Sequence, residues 1–312
     1  MWRVMTLPAL AVTVAAALIA ADGDPTARGA PVQPITRTLF VSATDQQGVP
    51  VADLQAGDFE VKLGGKRIEV VSAEPAQAPL RIAIIVSDAG SGAFQQSVAT
   101  FMQKLLGHAE FALVSVITQP EMIVDYSSLG AVLSAGVRRV GPRGRQRGGQ
   151  LMEAILDATK HVRGDSARRA IVVVRVGAEA ATPLAGDRVR AELRQSGATL
   201  YVVSTVGAQR AAPSNARPGI STEQAQLQDA EISDSAFDLA QVLGDGSKES
   251  GGRHDQVIST TLVPALARIA DELLNQYLLG CAVPDGVKDG ARLSITTTRK
   301  GVRIHARSTL PG

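Results

Sequence analysis

The sequence has a single cysteine and almost no net charge. Cys281 is the only cysteine among 312 residues, so no disulfide can form within the chain. It lies in the apolar run 277–283, where a small core hydrophobe is a better interpretation than a reactive thiol. Lysine and arginine total 32 against 30 for aspartate and glutamate, and 45% of the residues are hydrophobic. This composition predicts a globular chain with a substantial core and excludes a disordered or nucleic-acid-coating protein.

Motifs for two common kinds of chemistry are also missing. A nucleophile elbow has the form Gly-x-Ser-x-Gly, and around Ser91 the two outer positions are Ala89 and Ala93. No Gly-Lys-Ser or Gly-Lys-Thr follows the turn, so a phosphate-binding loop is not indicated. A serine hydrolase using Ser91 is therefore only an alternative, and the sequence predicts no enzyme activity and no cofactor.

The amino terminus has the layout of a secretory signal peptide. Arg3 precedes an apolar run over 4–21 that ends in small residues, which predicts a leader of residues 1–21 cleaved near Ala20 or Ala21. The alternative is a membrane anchor, because the run is of borderline length for a span. Since no cysteine follows the run, lipid anchoring is disfavoured. We therefore expect a secreted or periplasmic protein with a linker over 22–35 and no membrane span after cleavage.

The chain is organised around the stretch 80–94. Residues 82–86 are apolar without alternation, which is typical of a strand buried between two layers of helices. A turn containing Asp88, Gly90, Ser91 and Gly92 follows, and from Phe94 the apolar positions take helical spacing. Open α/β folds bind ligands at the carboxyl ends of such strands, so this turn is the first candidate site.

The remaining patterns predict a doubly wound, mostly parallel α/β domain plus a small β domain built from both chain ends. An amino-terminal β module over 36–78 contains a hairpin around Gly64 and Gly65, and a second hairpin over 288–310 turns at Lys300 and Gly301. Each hairpin has one apolar face, so we expect them to pack together. The α/β domain spans 80–283, where strands alternate with helices.

Within that domain the predicted strands and helices follow one another in simple alternation. The further strands are expected at 111–118, 122–124, 170–176, 199–204 and 277–282, and the helices at 128–139, 150–163, 185–196 and 262–276. Residues 206–236 have no strong period and are predicted to be an irregular excursion before a helix at 237–243. His254 is expected in a flexible turn.

In this order the chain resembles the bacterial exported proteins related to von Willebrand factor type A domains. The matching stretches are 41–54, 58–61, 84–92, 169–174, 251–254, 275–280 and 301–307. The resemblance implies a type A domain fold and a binding or adhesion role without catalysis. It also implies a metal-ion-dependent adhesion site, in which an Asp-x-Ser-x-Ser turn, a threonine and a distant aspartate hold a divalent cation.

The sequence departs strongly from that implied site. Asp88 is retained, but Gly90 and Gly92 take the two serine positions, Gln150 the threonine position and Val176 that of the distant aspartate. Because a hard cation needs several oxygen ligands, we expect a degenerate site without metal. A metal-dependent adhesion domain with unusual ligands is the alternative.

An arginine-rich loop follows the predicted helix at 128–139. Five arginines and no acidic residue lie between positions 138 and 147, among them Arg143, Arg145 and Arg147. The order of elements predicts this loop at the same sheet edge as Asp88, and guanidinium groups bind carboxylates well. We therefore expect a face that binds an acidic protein partner directly, while a solvated loop is the alternative. Its residues are Asp88, Ser91, Arg143, Arg145, Arg147, Gln150 and Arg175.

Overall fold

The computed structural model describes residues 35–88, 92–140, 150–163, 168–176, 182–206 and 222–310, with only the backbone given for 35 and 222–229. The strands are β1 (Ile35–Thr44), β2 (Phe59–Leu63), β3 (Lys66–Pro75), β4 (Leu80–Ser87), β5 (Ala109–Val116), β6 (Pro120–Ser127), β7 (Arg168–Arg175), β8 (Thr199–Thr205), β9 (His254–Val257), β10 (Tyr277–Val283), β11 (Leu293–Thr297) and β12 (Arg303–His305). The helices are α1 (Gln95–Leu105), α2 (Gly130–Arg139), α3 (Leu151–His161), α4 (Gly186–Ser196), α5 (Thr222–Gln241), α6 (Ser247–Glu249) and α7 (Leu262–Leu274). The predicted signal peptide lies outside the described residues and stays a prediction.

One sheet is the core of the α/β part, in the order β6-β5-β4-β7-β8-β9. Its neighbours run parallel except β5 and β6, which are antiparallel. Helices α1, α2 and α7 pack on one face, and α3 and α4 pack on the other. Since both faces are covered, β4 is apolar without alternation and its residues 82–86 are at most 2% exposed. The predicted doubly wound α/β fold is confirmed.

The other sheet is antiparallel and joins both ends of the described chain, in the order β11-β2-β3-β10-β1-β12. The predicted hairpin of β2 and β3 is present, and Gly64 and Gly65 have φ values of 57° and 84°. A two-residue hairpin turn requires such positive angles, which glycine adopts without strain. Val61, Leu279 and Ile295 share the core on one face of this sheet. The small β part made from both chain ends is thus present.

The second predicted hairpin is present only at its base. The N–H of Leu293 donates to the carbonyl of Ser308 (2.8 Å), and the N–H of Leu310 donates to the carbonyl of Ala291 (2.9 Å), in the register centred on Lys300 and Gly301. Strands β11 and β12 themselves do not pair with each other. β11 pairs with β2 and β12 pairs with β1, so the two strands lie at opposite edges of the sheet. This arrangement places the apolar sides of both strands on one core and gives each edge of the four inner strands a partner.

The strand at 277–283 is also in a different sheet from the one predicted. β10 lies between β3 and β1 in the antiparallel sheet, not in the α/β sheet, so the α/β part ends at α7. The sixth strand of the α/β sheet is β9, where a flexible turn was expected. A Cβ at Gly252 would lie 2.0 Å from the carbonyl oxygen of Leu200, so glycine here allows a close approach to β8.

The predicted irregular excursion over 206–236 is wrong for its second half. Thr222–Gln241 forms α5, a π-helical turn Val242–Gly246 follows, and residues 207–221 lie outside the described residues. Alanine, glutamine and glutamate favour helix even where no strong apolar period marks it. Residues Pro34–Gly312 form one compact unit, and the finer domain boundaries stay a prediction.

Candidate functional site

The candidate site lies at the carboxyl edge of the parallel strands. Asp88 follows β4, Val176 follows β7, and Gln150 directly precedes α3, whose first residues lie at the same edge. The backbone N–H of Val176 donates to the carbonyl of Ser87 (2.7 Å), which joins the ends of β4 and β7. The structure therefore places all three positions, which span 88 residues of sequence, at one edge of the sheet.

Asp88 is engaged within its own turn. Its carboxylate Oδ2 accepts a hydrogen bond from the backbone N–H of Gly92 (2.7 Å), and the residue is 8% exposed. Gly92 has a φ of 67°, a conformation that glycine adopts readily and other residues rarely do. Ala89, Gly90 and Ser91 lie outside the described residues. One oxygen of the retained carboxylate is thus directed at the backbone of the turn that follows it.

The other two positions provide few ligands for a cation. The side chain of Val176 packs against the core formed with α1 and α7, and it carries no oxygen. Gln150 is half-buried, and its backbone N–H donates to the carbonyl of Thr118 (3.1 Å). Within the described ranges, no group of three or more histidine, cysteine, aspartate or glutamate side chains could hold a metal ion.

Arg175 is at the edge but is not an exposed group. It ends β7 and is only 9% exposed. Burial lowers the pKa of His254, and the positive charge of Arg175 lowers it further. The imidazole Nε2 of His254 lies 2.9 Å from the hydroxyl of Ser204 at the end of β8. Arg175 therefore influences this edge through its positive charge. Its association with Ser204 and His254 was not predicted from the sequence.

The arginine-rich loop, with Arg143, Arg145 and Arg147, lies outside the described residues. However, the structure describes the residues on both sides of the loop. Val140 follows α2 and lines a small crevice with Asp88 and Phe94, while Gln150 is attached to Thr118. Both flanks of the loop are thus at the carboxyl edge, where the order of elements predicted them.

Two exposed apolar side chains also lie at this edge. Val206 directly follows β8 and is 69% exposed, and Ile258 directly follows β9 and is 59% exposed. The backbone N–H of Val206 donates to the carbonyl of Val257 (2.8 Å), so the two residues lie on adjacent strand ends. The sequence analysis did not single them out, because an isolated valine or isoleucine beyond a strand carries no distinctive signal.

Together, the strand order and the single antiparallel edge strand give the α/β part the doubly wound, mostly parallel sheet that the resemblance to type A domains implied. Among the five positions of the site that the resemblance implies, Asp88 alone has the expected residue type, and the loss of the metal stays a prediction.

Comparison with known proteins gives structural neighbours only. No protein-family model matches the chain, and no curated protein matches its sequence. A von Willebrand factor type A protein from Catenulispora acidiphila is 10% identical, with 90% of this chain and 74% of that chain covered and a TM-score of 0.44. The conserved protein BatB from Bacteroides thetaiotaomicron is 15% identical over 62% of this chain and 97% of that chain, with a TM-score of 0.42.

A third neighbour is the von Willebrand factor domain of the type V pili tip protein Mfa5 from Porphyromonas gingivalis. It is 11% identical, with 62% of this chain and 95% of that chain covered and a TM-score of 0.41. Among the described residues, no helix combines the length and the apolar character that crossing a membrane requires.

Proposed function

We propose that the protein is an exported, non-catalytic protein-binding module. Its carboxyl-edge surface contacts an acidic protein partner directly, without a bridging metal ion. The observation that carries this proposal is the set of oxygen donors at this edge. Among the described residues, the carboxylate of Asp88 has one oxygen bonded to the N–H of Gly92, and position 176 holds a valine packed against the core. Calcium takes six to eight oxygen ligands, and magnesium demands near-ideal octahedral geometry, so this set is poorly matched to either ion.

The same edge has the features of a surface for protein contact. Val206 and Ile258 provide exposed apolar area. The arginines at 138–147 provide positive charge, and the residues on both sides of their loop lie at the edge. Protein interfaces commonly combine an apolar centre with arginine, because guanidinium groups bind carboxylates through two parallel hydrogen bonds. The charge of the buried Arg175 adds to the positive field at this edge.

The absence of a bridging metal is tested by calorimetric titration of the full chain with Mg²⁺, Mn²⁺ and Ca²⁺. We expect no saturable heat at millimolar ion concentrations, because too few oxygen ligands meet at the site. Asp88→Ala serves as the matched control and should give the same flat titration. Micromolar binding that Asp88→Ala abolishes would establish the metal-dependent alternative instead.

The role of the loop is tested by replacing Arg143, Arg145 and Arg147 together by glutamine. A partner is first trapped by a photo-crosslinking residue at position 206, and its association rate is then measured against salt concentration. We expect the triple variant to slow association by about tenfold, and we expect the rate for the unaltered chain to fall as salt rises, since exposed charges act mainly through encounter rate.

The matched control removes three exposed arginines elsewhere, by replacing Arg67, Arg268 and Arg303 with glutamine. This control changes the net charge equally, so we expect an effect of less than about twofold, because its charges are remote from the contact. Equal effects of the two triple variants, or association indifferent to salt, would mean that the loop is only a solvated face.

A further inference from the structure

A cavity of about 340 Å³ lies at the opposite edge of the α/β sheet, where β4, β7 and β8 begin. Residues of β1 and the segment after β12 form its other wall, so the cavity lies between the two sheets. Five arginines from four separate places in the chain line it: Arg37, Arg168, Arg169, Arg194 and Arg307. No aspartate or glutamate lines it among the residues that the structure describes.

Two of these arginines have carboxylate partners outside the cavity. The guanidinium of Arg194 lies 3.1 Å from Glu249, and that of Arg37 lies 3.4 Å from Asp289. The pair of Arg37 is exposed, and such pairs contribute little to stability, so its guanidinium can turn toward a stronger anion.

Arg168 is different, because its charge faces only neutral groups among the described residues. The residue is 6% exposed, and its Nη1 donates to the carbonyls of Ala76 and Ala78, both at 2.9 Å. Its Nε donates to the side-chain oxygen of Gln276 (3.2 Å), and its Nη2 donates to the carbonyl of Leu273. Burial lowers the pKa of Arg168 to about 10, which indicates a positive charge held in a poorly solvated place.

Arg307 also lines the cavity. Its Nη2 donates to the carbonyl of Arg194 (2.9 Å), while its Nε is buried and has no hydrogen-bond partner in the described part of the chain. A Cβ at Gly197 would lie 3.5 Å from Nη1 of Arg307 and 3.7 Å from Nη1 of Arg169, so both guanidiniums adjoin one turn. Burial and the charge of Arg169 lower the pKa of Arg307.

The helix ends at this edge do not balance the charge. Helices α4 and α7 end beside the cavity, and each carboxyl-terminal end contributes roughly half a negative charge. Arg168 and Arg307 together carry two positive charges that meet no carboxylate among the described residues. The two helix ends therefore offset only about one of these two positive charges, inside a partly enclosed, polar cavity.

We propose that this cavity binds an oxyanion, namely the phosphate or carboxylate group of a small molecule, through Arg307, Arg37 and the buried charge of Arg168. Planar guanidinium groups with several N–H donors bind such oxygens in pairs. The volume is within the range of small-molecule sites, and the wall also contains the hydroxyl of Thr199. The cavity lies on the order of 25 Å from Asp88, the length of β4, so this site is separate from the proposed protein-contact edge.

The test measures thermal unfolding and calorimetric binding of the full chain. The probes are inorganic phosphate, pyrophosphate and succinate, each compared with sodium chloride at the same ionic strength. We expect saturable stabilisation by at least one oxyanion, with binding weakened about tenfold by Arg307→Gln, because hydrogen bonds to charged groups contribute about 1.5–3 kcal/mol. Stronger binding of the two phosphates than of succinate assigns the phosphate class, and the reverse assigns the carboxylate class.

Arg37→Gln is the second variant, since its side chain is 37% exposed and its removal leaves the core intact. It should also weaken binding while the unfolding temperature without ligand stays unchanged. Arg67→Gln is the matched control, with a side chain 69% exposed on β3 and away from the cavity. The proposal is overturned if no probe binds saturably, or if Arg67→Gln weakens binding as much as Arg307→Gln.

Discussion

At the scale of single residues, the least expected feature is a carboxylate inside the core. Glu272 on α7 is 1% exposed; its Oε1 accepts a hydrogen bond from the hydroxyl of Tyr201 (3.0 Å), and its Oε2 accepts from Arg253. The guanidinium of Arg253 also lies 3.0 Å from Asp255. A buried carboxylate is tolerated only when it is paired and hydrogen-bonded, and here Tyr201 and Arg253 meet both conditions.

Removing the charge of Glu272 should therefore be costly. We expect Glu272→Gln to lower the free energy of unfolding by about 3 kcal/mol, because it leaves the Arg253 guanidinium without its buried partner. Tyr201→Phe should cost about 2 kcal/mol, since it leaves one oxygen of the buried carboxylate without its donor. Denaturant unfolding followed by circular dichroism measures both.

The neighbouring Asp271 offers a matched control on the same helix. Its pair with Lys104 at 2.7 Å is exposed, with side chains 38% and 36% accessible, so Asp271→Asn should cost less than about 1 kcal/mol. Similar costs for Glu272→Gln and Asp271→Asn would contradict the structural role assigned to the buried carboxylate.

At the scale of elements, the two carboxyl-terminal strands complete the antiparallel sheet from opposite sides. β11 covers the edge of β2 and places Leu293 and Ile295 in the core, while β12 covers the edge of β1. Thr44 near the end of β1 contacts His305 of β12 through side chains at 3.2 Å. The amino-terminal strands therefore depend on residues more than 200 positions away for both their core and their edges.

This dependence predicts different effects for two adjacent residues of β11. Ile295 is 9% exposed and Thr296 faces solvent, so we expect Ile295→Ala to cost about 2 kcal/mol and Thr296→Ala less than about 0.5 kcal/mol. Limited proteolysis should also become faster within β2 for Ile295→Ala only. Unchanged protease resistance of β2 in that variant would mean that the strands at the two ends are stable separately.

At the scale of the whole molecule, Arg168 connects the two places where the chain passes between the sheets. It donates to the carbonyls of Ala76 and Ala78 on the passage from β3 to β4. It also donates to Leu273 and Gln276 on the passage from α7 to β10. One side chain thus fixes the chain where it enters the α/β part and where it leaves, which explains why a guanidinium is buried there.

Much of the α/β part could be predicted from sequence, because its signals are local. The apolar run before Asp88 and the helical spacing after Phe94 each follow from the burial of that segment alone. The hairpin at Gly64 and Gly65 is equally local, since two positive φ angles require that pair. The residue types at positions 90, 92, 150 and 176 likewise predict a degenerate site, which stays a prediction.

What only the tertiary structure decided was the partner of each strand and the surroundings of each charge. The pattern of β10 is that of a buried strand in either sheet, and a one-sided strand such as β11 fits any edge that offers it a core. Nothing in the sequence distinguishes Arg175 and Arg168 from other arginines. Packing buries Arg175 near His254, and it places Arg168 with four more arginines around a cavity. The sequence by itself thus determined the residue types at the candidate site and many of the strands and helices. Their pairing and the arginine-lined cavity depend on contacts between distant residues, which no local pattern encodes.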